Sequence, residues 1–275
     1  MSEQATDALV VESMVKEFRV QRGVFRAVDR VSFRIARGST FGLVGESGSG
    51  KSTIARCALR LITPTSGRSV IAGTDPASLG GAALRRLRAQ TGMVFQNPKA
   101  ALNPRMRIRD IVAEPLMTHT RLSRADIRRR VTSLLDEVGL AVSHGDRMPH
   151  QLSGGQCQRA GVARAIATEP ELVVLDEPTS ALDVSVQAQV LNLLQRLKRE
   201  RDLSYLLISH DLDVVRYMSD EAGVMRRGEL LESGRADIVL TTPTHDYTRQ
   251  LLAAMPATPG AVVALPGGDE RSILL

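Results

Sequence analysis

The apolar residues of this 275-residue chain fall into distinct patterns, and each pattern predicts one kind of element. Residues 9 to 37 alternate between apolar and polar side chains, as at Val31, Phe33 and Ile35, which predicts half-buried antiparallel strands. Three shorter runs are apolar on nearly every side, as strands buried on both faces of a parallel sheet must be. These runs are Thr40–Val44, Leu172–Leu175 and Tyr205–Ile208.

A helix is predicted between the last two buried runs, because apolar residues recur there at helical spacing. The residues that recur at this spacing are Val186, Val190, Leu191, Leu194 and Leu197. A strand, a helix and a second strand form the crossover unit of a parallel α/β sheet. A further helix should follow the glycine-rich stretch after Val44 and end near Leu61, where Thr63-Pro64-Thr65-Ser66-Gly67 stops it. Residues 225 to 232, with Gly228 at the turn, predict a closing hairpin.

Residues 97 to 160 have a different pattern, which predicts a helical segment inserted into the α/β core. Ser123 to Asp126 reads as a capping box, apolar residues then recur on one helix face, and Gly139 ends that helix. We therefore divide the chain into an N-terminal antiparallel β subdomain, a core of about residues 38–96 and 161–240, the helical subdomain 97–160 and a C-terminal extension 241–275. Its last 15 to 20 residues, rich in Ala, Pro and Gly, are expected to be loose.

Composition narrows the class of protein. No apolar run approaches the eighteen or so residues of a membrane helix, and the N-terminus does not resemble a signal peptide, so we expect a cytosolic chain. Cys57 and Cys157 have no metal-site or redox spacing and are expected to be plain thiols. The net charge is +6, but the arginines are scattered and aromatic residues make up 3%, which argues against nucleic-acid binding. A basic face is equally suited to anionic lipid headgroups.

A phosphate-binding loop is predicted from Gly45 to Thr53, because the pattern G-x-x-x-x-G-K-[ST] follows a buried strand and opens a helix. Glycines free the backbone to wrap phosphates, Lys51 neutralises them, and Ser52 offers its hydroxyl to Mg²⁺. The chain has four lysines against 32 arginines, so a lysine at this position indicates a need for a compact charge.

Two further elements carry candidate chemistry. Asp176 and Glu177 end the apolar strand that starts at Leu172, at the carboxyl edge where parallel sheets bind ligands. Asp176 is suited to hold a metal, and Glu177 to orient and deprotonate an attacking water. The second element is Leu152–Gln156, LSGGQ, whose hydroxyl and backbone amides at a helix N-terminus form another anion site.

Together these motifs resemble the ATP-binding cassette (ABC) ATPases over nearly the whole chain. Gly45–Thr53 resembles the Walker A loop, Leu172–Glu177 the Walker B strand, Leu152–Gln156 the signature motif and Ser180–Asp183 the D-loop. Gln96 and His210 resemble the Q-loop glutamine and the switch histidine, and Phe18 stands where the family stacks an aromatic ring on adenine, with Phe25 as a rival.

The resemblance implies a set of site residues. The catalytic residues are Glu177, His210 and Gln96. The metal ligands are Ser52, Gln96 and Asp176. The ATP-binding residues are Gly45, Glu46, Ser47, Gly48, Ser49, Gly50, Lys51, Ser52, Thr53, Phe18, Ser153, Gly154, Gly155, Gln156 and Asp183. ATP and Mg²⁺ are the implied cofactors.

Finer motifs resemble the ATP-binding subunits of dipeptide, oligopeptide and nickel importers. They are residues 95–98 (FQNP), 102–105 (LNPR), 180–190 (SALDVSVQAQV) and 244–249 (THDYTR). Cys157, Ala101 and Asp246 depart from the usual residues, and the Cys-containing tail of many such subunits is absent, so the transported substrate stays open.

The resemblance also implies partners and a location. A signature motif faces the phosphate held by a partner's Walker A loop, so we expect a head-to-tail dimer with a copy or a paralogue. We also expect two transmembrane permease subunits, an extracytoplasmic substrate-binding protein, and a peripheral position on the cytoplasmic face of the inner membrane. The alternatives are an accessory ATPase of a carbon–phosphorus lyase complex and a soluble cassette of DNA repair or translation.

Overall fold

The computed structural model describes residues 7–21 and 23–254. An antiparallel sheet stands at the N-terminal end, in the order β2-β1-β4. Its strands are β1 (Leu9–Val20), β2 (Gly23–Ile35) and β4 (Ser66–Ile71). The alternating pattern of residues 9 to 37 thus predicted two strands of this sheet, and β4 joins them from beyond the first helix. The predicted loose tail lies outside the described residues.

The central sheet has six strands in the order β5-β6-β7-β3-β8-β9. Five neighbouring strands run parallel, and the hairpin strand β9 is antiparallel to β8. The strands are β3 (Thr40–Val44), β5 (Thr91–Val94), β6 (Leu172–Asp176), β7 (Ser204–Ile208), β8 (Glu221–Arg226) and β9 (Glu229–Arg235). The three apolar runs are β3, β6 and β7, and every residue in them is buried.

Helices pack around this sheet and form the inserted segment. They are α1 (Lys51–Ala58), α2 (Gly81–Ala89), α3 (Pro98–Ala101), α4 (Ile108–His119), α5 (Arg124–Glu137), α6 (Gly154–Ala165), α7 (Val184–Arg201), α8 (Leu212–Met218), α9 (Ala236–Val239) and α10 (Asp246–Ala254). Short 3₁₀ turns lie at Pro76–Ser78, Val142–Asp146 and Pro149–Gln151. The predicted α/β fold is confirmed.

Two helix ends illustrate how local chemistry sets the boundaries. The Ser123 hydroxyl accepts a hydrogen bond from the Asp126 amide and caps α5, and Gly139 follows its last turn with φ +70°, as the sequence predicts. The expected end of α1 near Leu61 is three residues too far. The helix stops at Ala58 because Arg60 takes a left-handed conformation, φ +55°, and the Leu61 amide turns back to the Arg56 carbonyl.

The inserted helices share an apolar core with the sheet. Leu134 of α5 and Cys157 of α6 lie in the same buried cluster as Leu175 of β6 and Leu207 of β7. Helix α6 also runs through residue 160, where the sequence places the end of the helical subdomain. The helical segment is therefore packed onto the sheet rather than held apart from it, and its division from the core remains a prediction.

Candidate nucleotide site

The phosphate-binding loop lies between β3 and α1, at the carboxyl edge of the central sheet. Gly45 and Gly50 have φ values of +147° and +106°, and a Cβ atom would lie 2.1 Å from the Met225 carbonyl at Gly45 and 2.3 Å from the Ala27 carbonyl at Gly50. No other residue fits these two positions without backbone movement. The glycines therefore let the loop pass close under its neighbours and turn its amides toward the N-terminus of α1.

Lys51 is held inside this loop. Its Nζ donates hydrogen bonds to the carbonyls of Gly45 at 2.7 Å and Glu46 at 2.8 Å, and lies 3.3 Å from the Ser49 hydroxyl. Burial lowers the pKa of Lys51, and the nearby carboxylates of Glu177, Asp176 and Glu46 oppose that shift. The ammonium thus sits within a ring of loop oxygens, at a place where phosphate oxygens can replace them.

Ser52 and Asp176 bring two oxygen ligands together from distant parts of the chain. The Ser52 hydroxyl donates a 2.8 Å hydrogen bond to the Asp176 carboxylate, and Asp176 is buried at the end of β6. Burial raises the pKa of Asp176, and the hydrogen bond from Ser52 opposes the rise. A hydroxyl and a carboxylate at the foot of a phosphate loop are hard oxygen donors, so this donor set fits Mg²⁺.

Glu177 follows β6, and its side chain lies beside residues that follow the two neighbouring strands, β5 and β7. Its carboxylate accepts a 2.6 Å hydrogen bond from the Gln96 amide, which follows β5, and lies 3.3 Å from Nδ1 of His210, which follows β7. Its backbone takes a left-handed conformation, φ +48°, with its amide donating to the Ile208 carbonyl at 2.9 Å. Non-glycine residues adopt this conformation only where surrounding structure imposes it, often at functional sites. The parallel sheet thus gathers Gln96, Glu177 and His210 at one edge.

The signature segment forms the start of α6. The Ser153 hydroxyl accepts from the Gln156 amide at 3.2 Å, and the Gln156 side chain accepts from the Ser153 amide at 3.0 Å, which completes a capping box. The Gln156 side chain is therefore engaged in capping in this structure. The amides of Gly154 and Gly155 occupy the first turn of the helix, where the macrodipole favours an anion.

A cavity of about 370 Å³ opens at this helix start. It is lined by Asn97, Pro98, Lys99, Ser153, Gly154, Gly155, Ala181, Leu182, Asp183 and Val186. None of residues 45–53, all of which the structure describes, lines it. The structure therefore brings Asp183 to the signature residues, while the phosphate-binding loop serves a separate surface.

Phe18 and Phe25, the two candidates for the adenine contact, are directly opposite each other on β1 and β2. Their exposed fractions are 38% and 55%, and Lys16 lies over the Phe18 ring at 4.9 Å. Residues paired in this way project from the same face of a sheet. Phe18 and Phe25 thus form one exposed aromatic patch, and which of them contacts adenine stays a prediction.

Two residues at the site were missed by the sequence analysis. Lys99 lines the signature cavity, and the Gln158 amide donates a 2.6 Å hydrogen bond to the Pro178 carbonyl, which ties α6 to the loop after Glu177. The scarcity of lysine was a signal for Lys99. No local signal marks Gln158, since its partner lies 20 residues away.

Cys57 and Cys157 are both buried free thiols. Burial raises the pKa of Cys57 to about 11 and also raises that of Cys157. Both expectations of plain thiols agree with this setting. Within the described part of the chain, no helix has the length and apolar character needed to cross a membrane.

Comparison with known proteins places these elements in a family context. The sequence profile described as ABC transporter matches residues 28–180, more than half of the chain. An oligopeptide transport ATP-binding protein, OppF, of Streptococcus mutans is 50% identical over 232 residues, covering 84% of this chain and 75% of the relative. A dipeptide transport ATP-binding protein, DppF, of Lactococcus lactis subsp. cremoris is 48% identical over 240 residues, covering 86% and 77%.

A solved structure agrees with this result. The ATP-binding cassette MJ0796, determined as a dimer in a post-hydrolysis state bound to ADP and Pi, superposes with a TM-score of 0.76 at 28% identity. The match covers 83% of this chain and 98% of the solved chain. The fold, the family profile and the sequence relatives therefore agree with one another.

Proposed function

The chain belongs to the ABC transporter family and is an ATP-binding, ATP-hydrolysing subunit, and on that premise we propose that it powers the uptake of peptides or related small solutes, nickel among them, by a binding-protein-dependent importer. One observation supports ATP hydrolysis most directly: the Glu177 carboxylate contacts both Gln96 and His210, and it lies next to the hydrogen-bonded pair Ser52–Asp176. The substrate class rests on relatives named for oligopeptide and dipeptide transport.

We propose Glu177 as the general base. Its carboxylate, held by Gln96 and near His210, is placed to accept a proton from the attacking water. His210 borders the same carboxylate and has an exposed ring, so it would help to orient the water that bonds to the γ-phosphorus as the bond from that phosphorus to the ADP oxygen breaks. Proton acceptance by a positioned group of this kind is worth about 10² to 10⁴ in rate.

We propose that residues 45–53 bind the triphosphate, with Lys51 leaving the loop carbonyls for phosphate oxygens. Ser52, Asp176 and Gln96 would hold Mg²⁺, which when bound neutralises developing charge on the phosphates. Phe18 or Phe25 would stack on the adenine. These assignments rest on the geometry of the residues and on the family resemblance together.

We propose that the signature surface completes a site held by another cassette. Ser153, Gly154, Gly155 and Asp183 face a cavity that the phosphate-binding loop of the same chain does not line. Dimeric cassettes of this family include the relative bound to ADP and Pi. The partner is either a second copy or a paralogue, in a head-to-tail arrangement. Loss of the shared phosphate after hydrolysis lets the two chains separate.

We propose that this motion acts on two transmembrane permease subunits through the helical segment next to Gln96, at the cytoplasmic face of the membrane. An extracytoplasmic binding protein delivers the solute to the permeases. No nucleic-acid partner is proposed, because the aromatic residues needed for base stacking are scarce.

Purification from native membranes tests this assignment. The tagged full-length protein, extracted in mild detergent, should bring down two membrane-spanning subunits and a second cassette, and the purified assembly should hydrolyse ATP. The binding protein encoded with the permeases should carry a peptide, nickel or a related small solute. Recovery with soluble enzyme subunits, as in a carbon–phosphorus lyase complex, or with DNA-repair or translation components, would refute the importer assignment.

A further inference from the structure

The start of the C-terminal extension is tied to β9 through one carboxylate. Glu232 accepts hydrogen bonds from the amide and hydroxyl of Thr244 at 2.8 and 2.9 Å and from the amide of His245 at 3.2 Å. The imidazole Nδ1 of His245 in turn accepts from the Tyr247 amide at 3.0 Å. This chain of bonds gives the Tyr247 backbone a fixed place at the start of α10.

The Tyr247 side chain packs against Arg226 of β8. Its ring is buried, with 4% exposed, and the Arg226 guanidinium lies 4.3 Å from the ring centroid. Arg226 follows Met225, whose carbonyl lies so near the loop that a Cβ atom at Gly45 would be 2.1 Å from it. The C-terminal extension, β8 and the start of the loop are therefore packed against one another.

The Tyr247 hydroxyl is a buried polar group that lacks a completed bond. Among the described residues it has no hydrogen-bond partner, and the charged groups that act on it are Glu46 and Arg226. Burial raises the pKa of Tyr247, and the Glu46 carboxylate adds to the rise, so the hydroxyl keeps its proton and remains a donor. A movement of Glu46 toward this buried donor would complete a hydrogen bond and satisfy the hydroxyl.

Nucleotide binding supplies a reason for such a movement. The Glu46 carbonyl here accepts from Lys51 at 2.8 Å, and phosphate oxygens compete for the same ammonium. The far end of the loop is already anchored, because the Ser49 carbonyl accepts from the Gly228 amide at 2.9 Å. When Lys51 donates to phosphate oxygens, the Glu46 carbonyl loses its bond from Lys51, and Tyr247 remains beside Glu46.

We propose that Tyr247 is a positioning residue for the phosphate-binding loop, holding Glu46 in place so that the C-terminal extension helps to set nucleotide affinity. This inference rests on the proposed binding of nucleotide by residues 45–53. Tyr247 would act on Glu46 of the loop rather than on the reacting atoms, so it would change affinity and leave the hydrolytic step alone.

Affinity for ADP with Mg²⁺, measured by calorimetry on the full chain, tests the inference. Tyr247→Phe keeps the ring and removes only the hydroxyl, and it should weaken binding about threefold to tenfold, the worth of one hydrogen bond. Turnover at saturating ATP should stay within about twofold, so the change appears in KM. Tyr217→Phe is the matched control, because it removes a hydroxyl that donates a 2.6 Å hydrogen bond to the Asn192 side chain, and it should leave affinity unchanged.

A double-mutant cycle separates positioning from general loosening. Glu46→Ala and Tyr247→Phe remove the two sides of one contact, so the double variant should bind no more weakly than the weaker single variant. Glu232→Ala, which frees residues 244 and 245, should reproduce the Tyr247→Phe loss.

Three results would overturn the inference. Unchanged ADP affinity in Tyr247→Phe, or fully additive losses in the cycle, would do so while leaving the proposed function intact, since the parent protein would still bind ADP. A parent protein that binds no ADP would overturn the inference together with the proposed function.

Discussion

The side-chain amide of Gln96 donates a 2.6 Å hydrogen bond to the carboxylate of Glu177 across 81 residues of sequence. Gln96 follows β5 and Glu177 follows β6, and these strands are parallel neighbours. The bond holds the carboxylate in one orientation beside Asp176 and leaves the amide oxygen of Gln96 available as a ligand. One residue can thus link the proposed general base to the proposed metal site.

Gln96→Ala removes both contributions. We expect ATP turnover to fall about tenfold to 10³-fold, in line with the loss of one preorganised contact at a reacting centre. Nucleotide affinity measured without Mg²⁺ should stay within about twofold. Gln195→Ala is a suitable control, since that amide donates to the Tyr217 carbonyl at 3.0 Å and should leave turnover as it is. Equal turnover in Gln96→Ala and the parent would remove Gln96 from the site.

Lys51→Ala removes a buried charge that lies within the phosphate-binding loop. Loss of one partner from a buried, hydrogen-bonded charge pair costs about 2 to 5 kcal/mol, so ATP affinity should fall roughly 30-fold or more. Lys51→Arg should not rescue binding, because the longer planar guanidinium does not fit a site built around a compact ammonium. Lys198→Ala, which breaks an ion pair to Asp220, is the control. Calorimetric titration with ATP checks all three variants, and unaltered affinity in Lys51→Ala would argue against the loop's role.

Asp176→Asn tests the metal site. The substitution keeps the shape and the ability to accept from Ser52 but removes the charge, so half-maximal hydrolysis should need about tenfold or more Mg²⁺. Chelation of Mg²⁺ should abolish hydrolysis by the parent, and adding Mg²⁺ back should restore it. The exposed Asp213, which bonds Arg216, supplies the control Asp213→Asn. An unshifted Mg²⁺ titration in Asp176→Asn would exclude it as a ligand.

Gly155→Ala tests the signature surface against a matched glycine on the same helix. A Cβ atom at Gly155 would lie 2.4 Å from Cγ1 of Val186, whereas one at Gly161 meets nothing within 4 Å. Ala at Gly155 must push aside the Val186 side chain on the surface of this cavity, so hydrolysis should fall about tenfold or more while ATP binding to the chain persists. Gly161→Ala should hydrolyse ATP normally and be slightly more stable to heat. Equal activity in the two variants would show that this surface takes no part in hydrolysis.

The elements that carry a local signal were predictable from the sequence. Continuous apolar runs marked β3, β6 and β7, and the glycine and lysine spacing marked the loop that ends in Ser52. Gly228 marked the turn of the hairpin between β8 and β9, although the strands extend beyond the predicted residues. In each case burial on both faces or a required backbone conformation leaves a signature in a few consecutive residues.

Other features depend on distant partners and left no such signature. The four residues of β5 are too short to show a period, and strand order follows from pairing between segments far apart in the chain. Helix α1 ends early because Arg60 takes a left-handed conformation, and no glycine at that position indicates this in the sequence. Tyr247 and Glu46 are about 200 residues apart in the sequence, so a pattern in consecutive residues cannot predict that they lie near each other.

Glu177→Gln is the most direct test of the central claim, that this chain hydrolyses ATP with Glu177 as its base. Turnover should fall about 10² to 10⁴-fold, which corresponds to about 3 to 5 kcal/mol of barrier. ATP affinity should match that of the parent, and an ATP-bound dimer should accumulate. Glu171→Gln, at the opposite end of β6 and paired with Arg37, should keep full turnover. Near-normal hydrolysis by Glu177→Gln would contradict the account.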